Sequence, residues 1–305
     1  MSAGLNDDLD TLGVHFRFCA SNLRARSEGL GVTPLLAKKR VREEISRNRG
    51  SLFRDDLVES FLRTSERESF WLSLEPEVIE QIVTAWTRDG EPGVFGFEAV
   101  KSVANIFSAC VDAKSRFTAE HSQGVANLAR HIGTLFGLPE HTLNKLELAG
   151  LLHDIGKLRV PDEILDKPGR LNEEEFILMK RHSFDTLHVL GRVEGLEEIA
   201  FWASLHHEDL RGSGYPFKLS GDALSLEARI LKVADVFQAL AQNRPYRDGL
   251  AAEDILSILQ EMVADRRIDG KVVEKVADDL PGCWQAAQDT GLEAKSPVMS
   301  AVESW

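Results

Sequence analysis

Three cysteines in 305 residues, Cys19, Cys110 and Cys283, are too scattered to form a C-x-x-C pair or a disulfide framework. A reducing compartment, the cytoplasm, is therefore expected. Basic charge is also short: 36 Lys and Arg face 49 Asp and Glu, for a formal net charge of -13. That argues against general binding of DNA or an anionic membrane, which needs a basic face. It leaves room for a small anionic ligand, because a bound metal can dominate the local field. No apolar run is long enough to span a bilayer, and no signal peptide is evident. Alternating strand patterns are few, so sheet architectures are disfavoured.

What is present is helical periodicity. Apolar spacing predicts helices near 35–47, 54–63, 75–88, 97–112, 118–136, 140–154, 173–190, 195–207, 226–242, 251–264 and 270–279. Asn172 followed by Glu175 reads as a capping box. The run RDGEPGVFG (88–96) reads as a joint. It divides a helical regulatory or docking domain, 1–95, from a main domain, 96–280. The tail, 281–305, is expected to be a short cap or partly loose. The Gly and Pro density of HHEDLRGSGYPFKLSG (206–221) makes that stretch a loop. The expected fold is all-α: a helical bundle with its site in the core and a smaller helical N-terminal unit.

The stretch LAGLLHDIGKLRVP (148–161) ends an apolar helix on a His-Asp pair. A buried carboxylate is costly without a partner, and a metal ion is one. Helix geometry supplies further ligands. His121 shares a face with Val125, Leu128 and Ile132, and His182 with Met179, Thr186 and Leu190. His206 follows Ile199 and Ala203, and Asp235 lies one turn after Leu231. His131 and His188 fall on other faces and, with His15 and His141, read as ordinary surface residues. Several buried His plus two Asp have few ways to be satisfied except around metal. Imidazole and carboxylate without thiolate suit iron, manganese or zinc in a catalytic site. Seven potential ligands suit two ions.

Five ordered segments carry a resemblance. They are EHS at His121, LLHDIGKLRVPDEILDKPGRLNEEEFILMKRH (151–182), HHEDLRGSGYP (206–216), ARILKVADVFQAL (228–240) and RPYR (244–247). With these the chain resembles an HD-GYP domain, a branch of the HD phosphohydrolase superfamily. The resemblance implies an HD-type helical bundle that hydrolyses the bacterial second messenger cyclic di-GMP. It implies two divalent ions, iron foremost with manganese or zinc as alternatives. One would be held by His121, His153, Asp154 and Asp235. The other would share Asp154 as a bridge and use His182, His206 and His207. The implied chemistry is in-line attack on phosphorus by a metal-bridging hydroxide, with Asp154 and Lys157 as catalytic residues. Lys157 would point at the scissile phosphate, Arg244 and Arg247 would contact the ligand, and Gly214-Tyr215-Pro216 would form a rim or partner loop.

The chain departs from the family pattern in four places. Phe117 stands where members with a third metal carry Glu. Arg211 and Gln238 replace Asp, and Thr186 replaces Gly. Slow turnover is therefore expected, and Arg211→Asp is expected to raise it. The alternative is a catalytically weak module that holds metals, takes up cyclic di-GMP and docks a partner such as a GGDEF-type diguanylate cyclase through the GYP loop. The N-terminal segment 49–75 is similar to the segment that ends HD-type domains in tandem arrangements. Nothing in the first hundred residues resembles a receiver domain or a dinucleotide loop.

Overall fold

A computed structural model of the chain describes residues 34–50, 53–74, 78, 94–114, 121–242 and 248–289. It divides into two compact units, with the boundary between Gly96 and Phe97. Among the described residues there is no β-strand, only two isolated bridges, Arg49 with Phe53 and Arg211 with Ser220.

The first unit contains α1 (Pro34–Arg47), α2 (Asp55–Thr64) and α3 (Glu68–Leu72). Val41, Ile45, Phe53, Val58 and Trp71 form its core. Phe61, Phe70 and Trp71 meet edge-on, with centroids 5.3–6.3 Å apart. The buried Trp71 indole donates to the Ser65 carbonyl (2.7 Å), so the ring is buried without stranding its N–H. The helix expected at 75–88 falls, apart from Val78, outside the described residues.

The second unit is a helical bundle. Its elements are α4 (Phe97–Lys114), α5 (His121–Leu135), α6 (Glu140–Leu152), a 3-10 turn (Ile155–Arg159), α7 (Asp162–Leu165) and α8 (Glu173–Leu190). Then come α9 (Glu197–Ser204), a second 3-10 turn (Gly221–Ala223), α10 (Leu226–Ala241), α11 (Ala252–Ala264), α12 (Gly270–Asp278) and α13 (Leu280–Gln288). The capping box at the start of α8 is formed in both directions: Asn172 accepts from Glu175 N, and the Glu175 carboxylate accepts from Asn172 N. α5 is the central helix, packing on α6, α10 and α13. Its face Val125, Leu128 and Ile132 is fully buried. α6 approaches α5 so closely that a Cβ on Gly150 would lie 2.5 Å from the Ala126 Cα. Glycine at 150 therefore sets the spacing of the two helices that end and begin at the site.

The segment after Pro281 is not loose where it is described. Asp279 accepts from Gly282 N to start α13, and Cys283 and Ala287 are buried in the main core. The sequence reading missed this helix because it is short and opens with a Pro-Gly pair. No helix among the described residues is long and apolar enough to cross a membrane.

Candidate metal centre

The bundle gathers side chains from five places in the chain. His121 opens α5, His153 caps the end of α6, and Asp154 follows it. His182 lies within α8, His206 and His207 just beyond α9, and Asp235 within α10. Three sets have their candidate ligand atoms within 4.8 Å of one another: His121, His153 and Asp235; His182, His206 and His207; and His153, Asp154 and His206. The third set joins the first two. His121 Nε2 is 3.4 Å from Asp235 Oδ1, and His153 Nε2 is 3.2 Å from Asp154 Oδ2. The other oxygen of Asp154 reaches the opposite lobe, 3.5 Å from His182 Nε2 and 3.8 Å from His206 Nε2.

Backbone and side-chain acceptors fix which ring nitrogen faces inward. His153, His182 and His206 each donate from Nδ1 to the carbonyl three residues earlier, Gly150 (2.8 Å), Met179 (2.6 Å) and Ala203 (2.6 Å). His121 Nδ1 donates to Gln242 Oε1 (3.1 Å). Each Nδ1 proton thus orients its ring and turns Nε2 toward the centre. Nothing in the sequence around Gln242 marks it as a partner of His121. It stands seven residues after Asp235, just past the end of α10, and only the fold brings it to His121.

The residues fit a bound cation. His153 Nε2 and Asp154 Oδ1 are buried without a hydrogen-bond partner. His182 Nε2 and His206 Nε2 face each other at 3.3 Å. With both Nδ1 atoms donating, these are two lone pairs in contact, an arrangement that favours a positive centre between them. Burial favours the neutral form of His153, but Asp154 and Asp235 outweigh it and hold that imidazole up at about 9. Burial pushes His182 down to about 4 and drives His206 and His207 well below the ordinary value. Burial acts to raise Asp154, yet His153 and Lys157 keep it well below the usual carboxylate range.

These shifts give a pH expectation for the metal-free protein. A depressed imidazole contributes stability above its unfolded value near 6.5 and loses it as pH falls toward the folded value. His182 (about 4), His206 and His207 act in this sense. His153 acts oppositely, losing its contribution only as pH rises toward about 9. Three groups outweigh one on the acid side. Thermal melting of chelator-treated protein should fall by about 5 °C or more between pH 7 and pH 5.5. Equal melting temperatures would show that the imidazoles are not desolvated as packed.

The turn after Asp154 is held from both sides. Lys157 Nζ donates to Asp154 Oδ2 (2.6 Å). Lys114, at the end of α4, donates to the carbonyls of Lys157, Leu158 and Val160 (3.1, 3.1 and 2.5 Å) and pairs with Asp162 (3.2 Å). On the α8 side the buried Thr186 hydroxyl donates to the His153 carbonyl (3.0 Å) and accepts from Gly156 N (3.1 Å). Thr186, a departure from the family pattern, is therefore a strut between the His-Asp turn and α8.

The other departures differ in place. Gln238 is buried, its Oε1 lacks a partner, and its side chain fills the space a Cβ on Gly124 would need. Arg211 is on the loop surface, 46% exposed, with Nη2 4.0 Å from Asp209 Oδ2. It does not touch the candidate ligands. The expectation that it disturbs their surroundings is thus corrected, since adjacency in sequence to His206 and His207 is undone by the turn at 208–212. Arg211→Asp should change kcat by less than about twofold, checked by steady-state rates at fixed metal content. Arg244, Arg247 and Phe117 lie outside the described residues.

Gly214-Tyr215-Pro216 borders the centre. The Tyr215 ring stacks on His207 at 4.7 Å and lies 6.4 Å from His182. Glu208 Oε1 accepts from Phe217 N (2.6 Å) and Lys218 N (3.0 Å) and so holds this loop in place. His131, set aside as a surface residue, pairs with Asp279 (2.9 Å), away from the cluster. His188 stacks on Phe184 and accepts from Arg192.

The HD domain model matches residues 105–272, and the chain belongs to that family. Among characterised relatives it is similar to 3'3'-cGAMP-specific phosphodiesterase 1 of Vibrio cholerae, 42% identical over 82% of this chain and 58% of the relative. It is similar also to 3'3'-cGAMP-specific phosphodiesterase 3 of the same organism, 35% identical over 72% of this chain and 48% of the relative. A third relative, the cyclic di-GMP phosphodiesterase response regulator RpfG of Xanthomonas campestris, is 39% identical over 47% of this chain and 38% of its own length. The chain thus spans about half the length of the first two relatives.

Proposed function

We propose that the chain is a metal-dependent phosphodiesterase acting on guanine-containing cyclic dinucleotides, with cyclic di-GMP and 3'3'-cGAMP as substrates. One observation carries this reading: two lobes of inward-facing Nε2 atoms joined by one buried aspartate, beside a lysine that reaches the same carboxylate. Two divalent ions, iron foremost, would be held by His121, His153, Asp154 and Asp235 on one side and by Asp154, His182, His206 and His207 on the other. Bound there, such ions lower the pKa of water and offset charge on phosphoryl oxygens. Asp154 and Lys157 are the catalytic residues of this reading. Lys157 exchanges its contact with Asp154 for the scissile phosphate, while Arg244 and Arg247 hold the ligand. The nucleotide is an intracellular signal, which puts the protein in the cytoplasm.

The widening of substrate from cyclic di-GMP alone rests on the two Vibrio cholerae relatives named for 3'3'-cGAMP. A second reading rests on Gln238, whose buried carbonyl oxygen lacks a partner where the family pattern has Asp. In it the chain binds metal and nucleotide with little turnover and docks a GGDEF-type diguanylate cyclase through Gly214-Tyr215-Pro216. Turnover of both nucleotides by iron- or manganese-loaded protein, read beside elemental analysis, separates the two. Full metal occupancy without cleavage of either nucleotide would reject the enzyme reading.

A further inference from the structure

We propose that Lys180 is a substrate-binding residue that takes the phosphate not being cleaved. The proposal rests on the cyclic-dinucleotide reading above. A cyclic dinucleotide carries two phosphodiesters, and the metal cradle with Lys157 provides for one. In that reading Arg244 and Arg247 also hold the ligand, and Lys180 adds a cation beside Tyr215 for the second anion.

Lys180 is placed for that task. It lies on α8, half-buried, two residues before His182, and meets the site through Tyr215. Its ammonium sits 4.5 Å from the centroid of the Phe176 ring and 5.8 Å from that of Tyr215. The Phe176 and Tyr215 rings themselves meet edge-on at 6.3 Å. Two aromatic faces thus hold the charge without neutralising it. Among the described residues no carboxylate pairs with Lys180, whereas its neighbour Arg181 is committed to Asp185 at 3.1 Å. Tyr215 connects the pair to the centre, because its other neighbour is His207. Phe176 is 44% exposed, so the ammonium lies on the solvent side of the Tyr215 ring that stacks on His207. An ammonium held by two rings and, among the described residues, without a carboxylate partner is an anion contact already desolvated on one side.

The test compares two substrates and one binding measurement. Lys180→Met keeps the stem and removes the charge; Lys180→Arg restores it. On metal-loaded protein, Lys180→Met should raise KM for cyclic di-GMP and 3'3'-cGAMP about tenfold while kcat changes little. With bis(p-nitrophenyl) phosphate, which has a single phosphate, KM should change less than about twofold. Calorimetric titration with a bis-phosphorothioate analogue of cyclic di-GMP should show the same tenfold weakening, and Lys180→Arg should recover most of it. Metal content by elemental analysis should match wild type in both variants. Equal effects on both substrates, or none on either, would overturn the role of Lys180 and leave the phosphodiesterase reading standing. A wild-type protein that neither binds nor cleaves any cyclic dinucleotide would overturn both.

Discussion

Asp154→Ala should strip the protein of metal, leaving less than about a tenth of the wild-type content, and lower turnover about a thousandfold or more. The expectation follows from how the carboxylate is shared. One oxygen lies 3.2 Å from His153 Nε2, and the other lies 3.5 and 3.8 Å from His182 and His206 Nε2. No other carboxylate among the described residues reaches both lobes; Asp235 approaches only His121 (3.4 Å) and His153 (3.9 Å). Without Asp154 each lobe keeps imidazoles but loses the negative charge common to both. His131→Ala is the matched control. That ring is bonded to Asp279, so metal content should equal wild type. Elemental analysis of the two purified variants decides the point. Equal metal loss in both would mean that the histidines have been sorted wrongly.

Gly156→Ala should be as damaging through packing alone. A Cβ at 156 would lie 1.9 Å from the His182 carbonyl oxygen and 2.8 Å from Thr186 N. Both are backbone atoms of α8, so no side chain can move aside, and either the turn or the helix must shift. A shift of that kind costs about 3 kcal/mol or more, read as a melting temperature lower by about 10 °C. Thr186→Val isolates the hydrogen-bonding part of the same contact. Its shape is close to native, but the Gly156 N–H and the His153 carbonyl lose their shared partner. The expected cost is about 2 kcal/mol, with metal affinity lower by about tenfold. Thr186→Ser should stay near wild type. A stable Gly156→Ala protein with normal metal content would show that the His-Asp turn does not press on α8 as described.

Much of this was legible from periodicity. Helices with a clear apolar stripe, such as α5 and α8, fell within a few residues of expectation, because burial on one face writes a 3.6-residue pattern. Candidate ligands were legible for the same reason: His121, His182 and Asp235 sit on those stripes, and a polar residue on an apolar stripe stands out. The supports of the site were not. Thr186, Gln242 and Lys114 act on atoms 30 to 121 residues away in the chain, and nothing in local composition marks such pairs. In sequence Thr186 looks like a defect, because only the folded turn shows what its hydroxyl bridges. Arg211 was misjudged in the opposite direction, as sequence proximity to two histidines does not survive a tight loop.

The carbonyls that hold His153, His182 and His206 lie only three residues behind each ring. Such contacts need only the local coil of one chain segment and no distant partner. Ring orientation is therefore set within each segment and does not wait for an ion. In a zinc finger the ion is the nucleus of the fold; here an ion would meet rings that are already turned inward. Chelation should accordingly empty the protein without unravelling it, and the same molecules should refill on adding metal back.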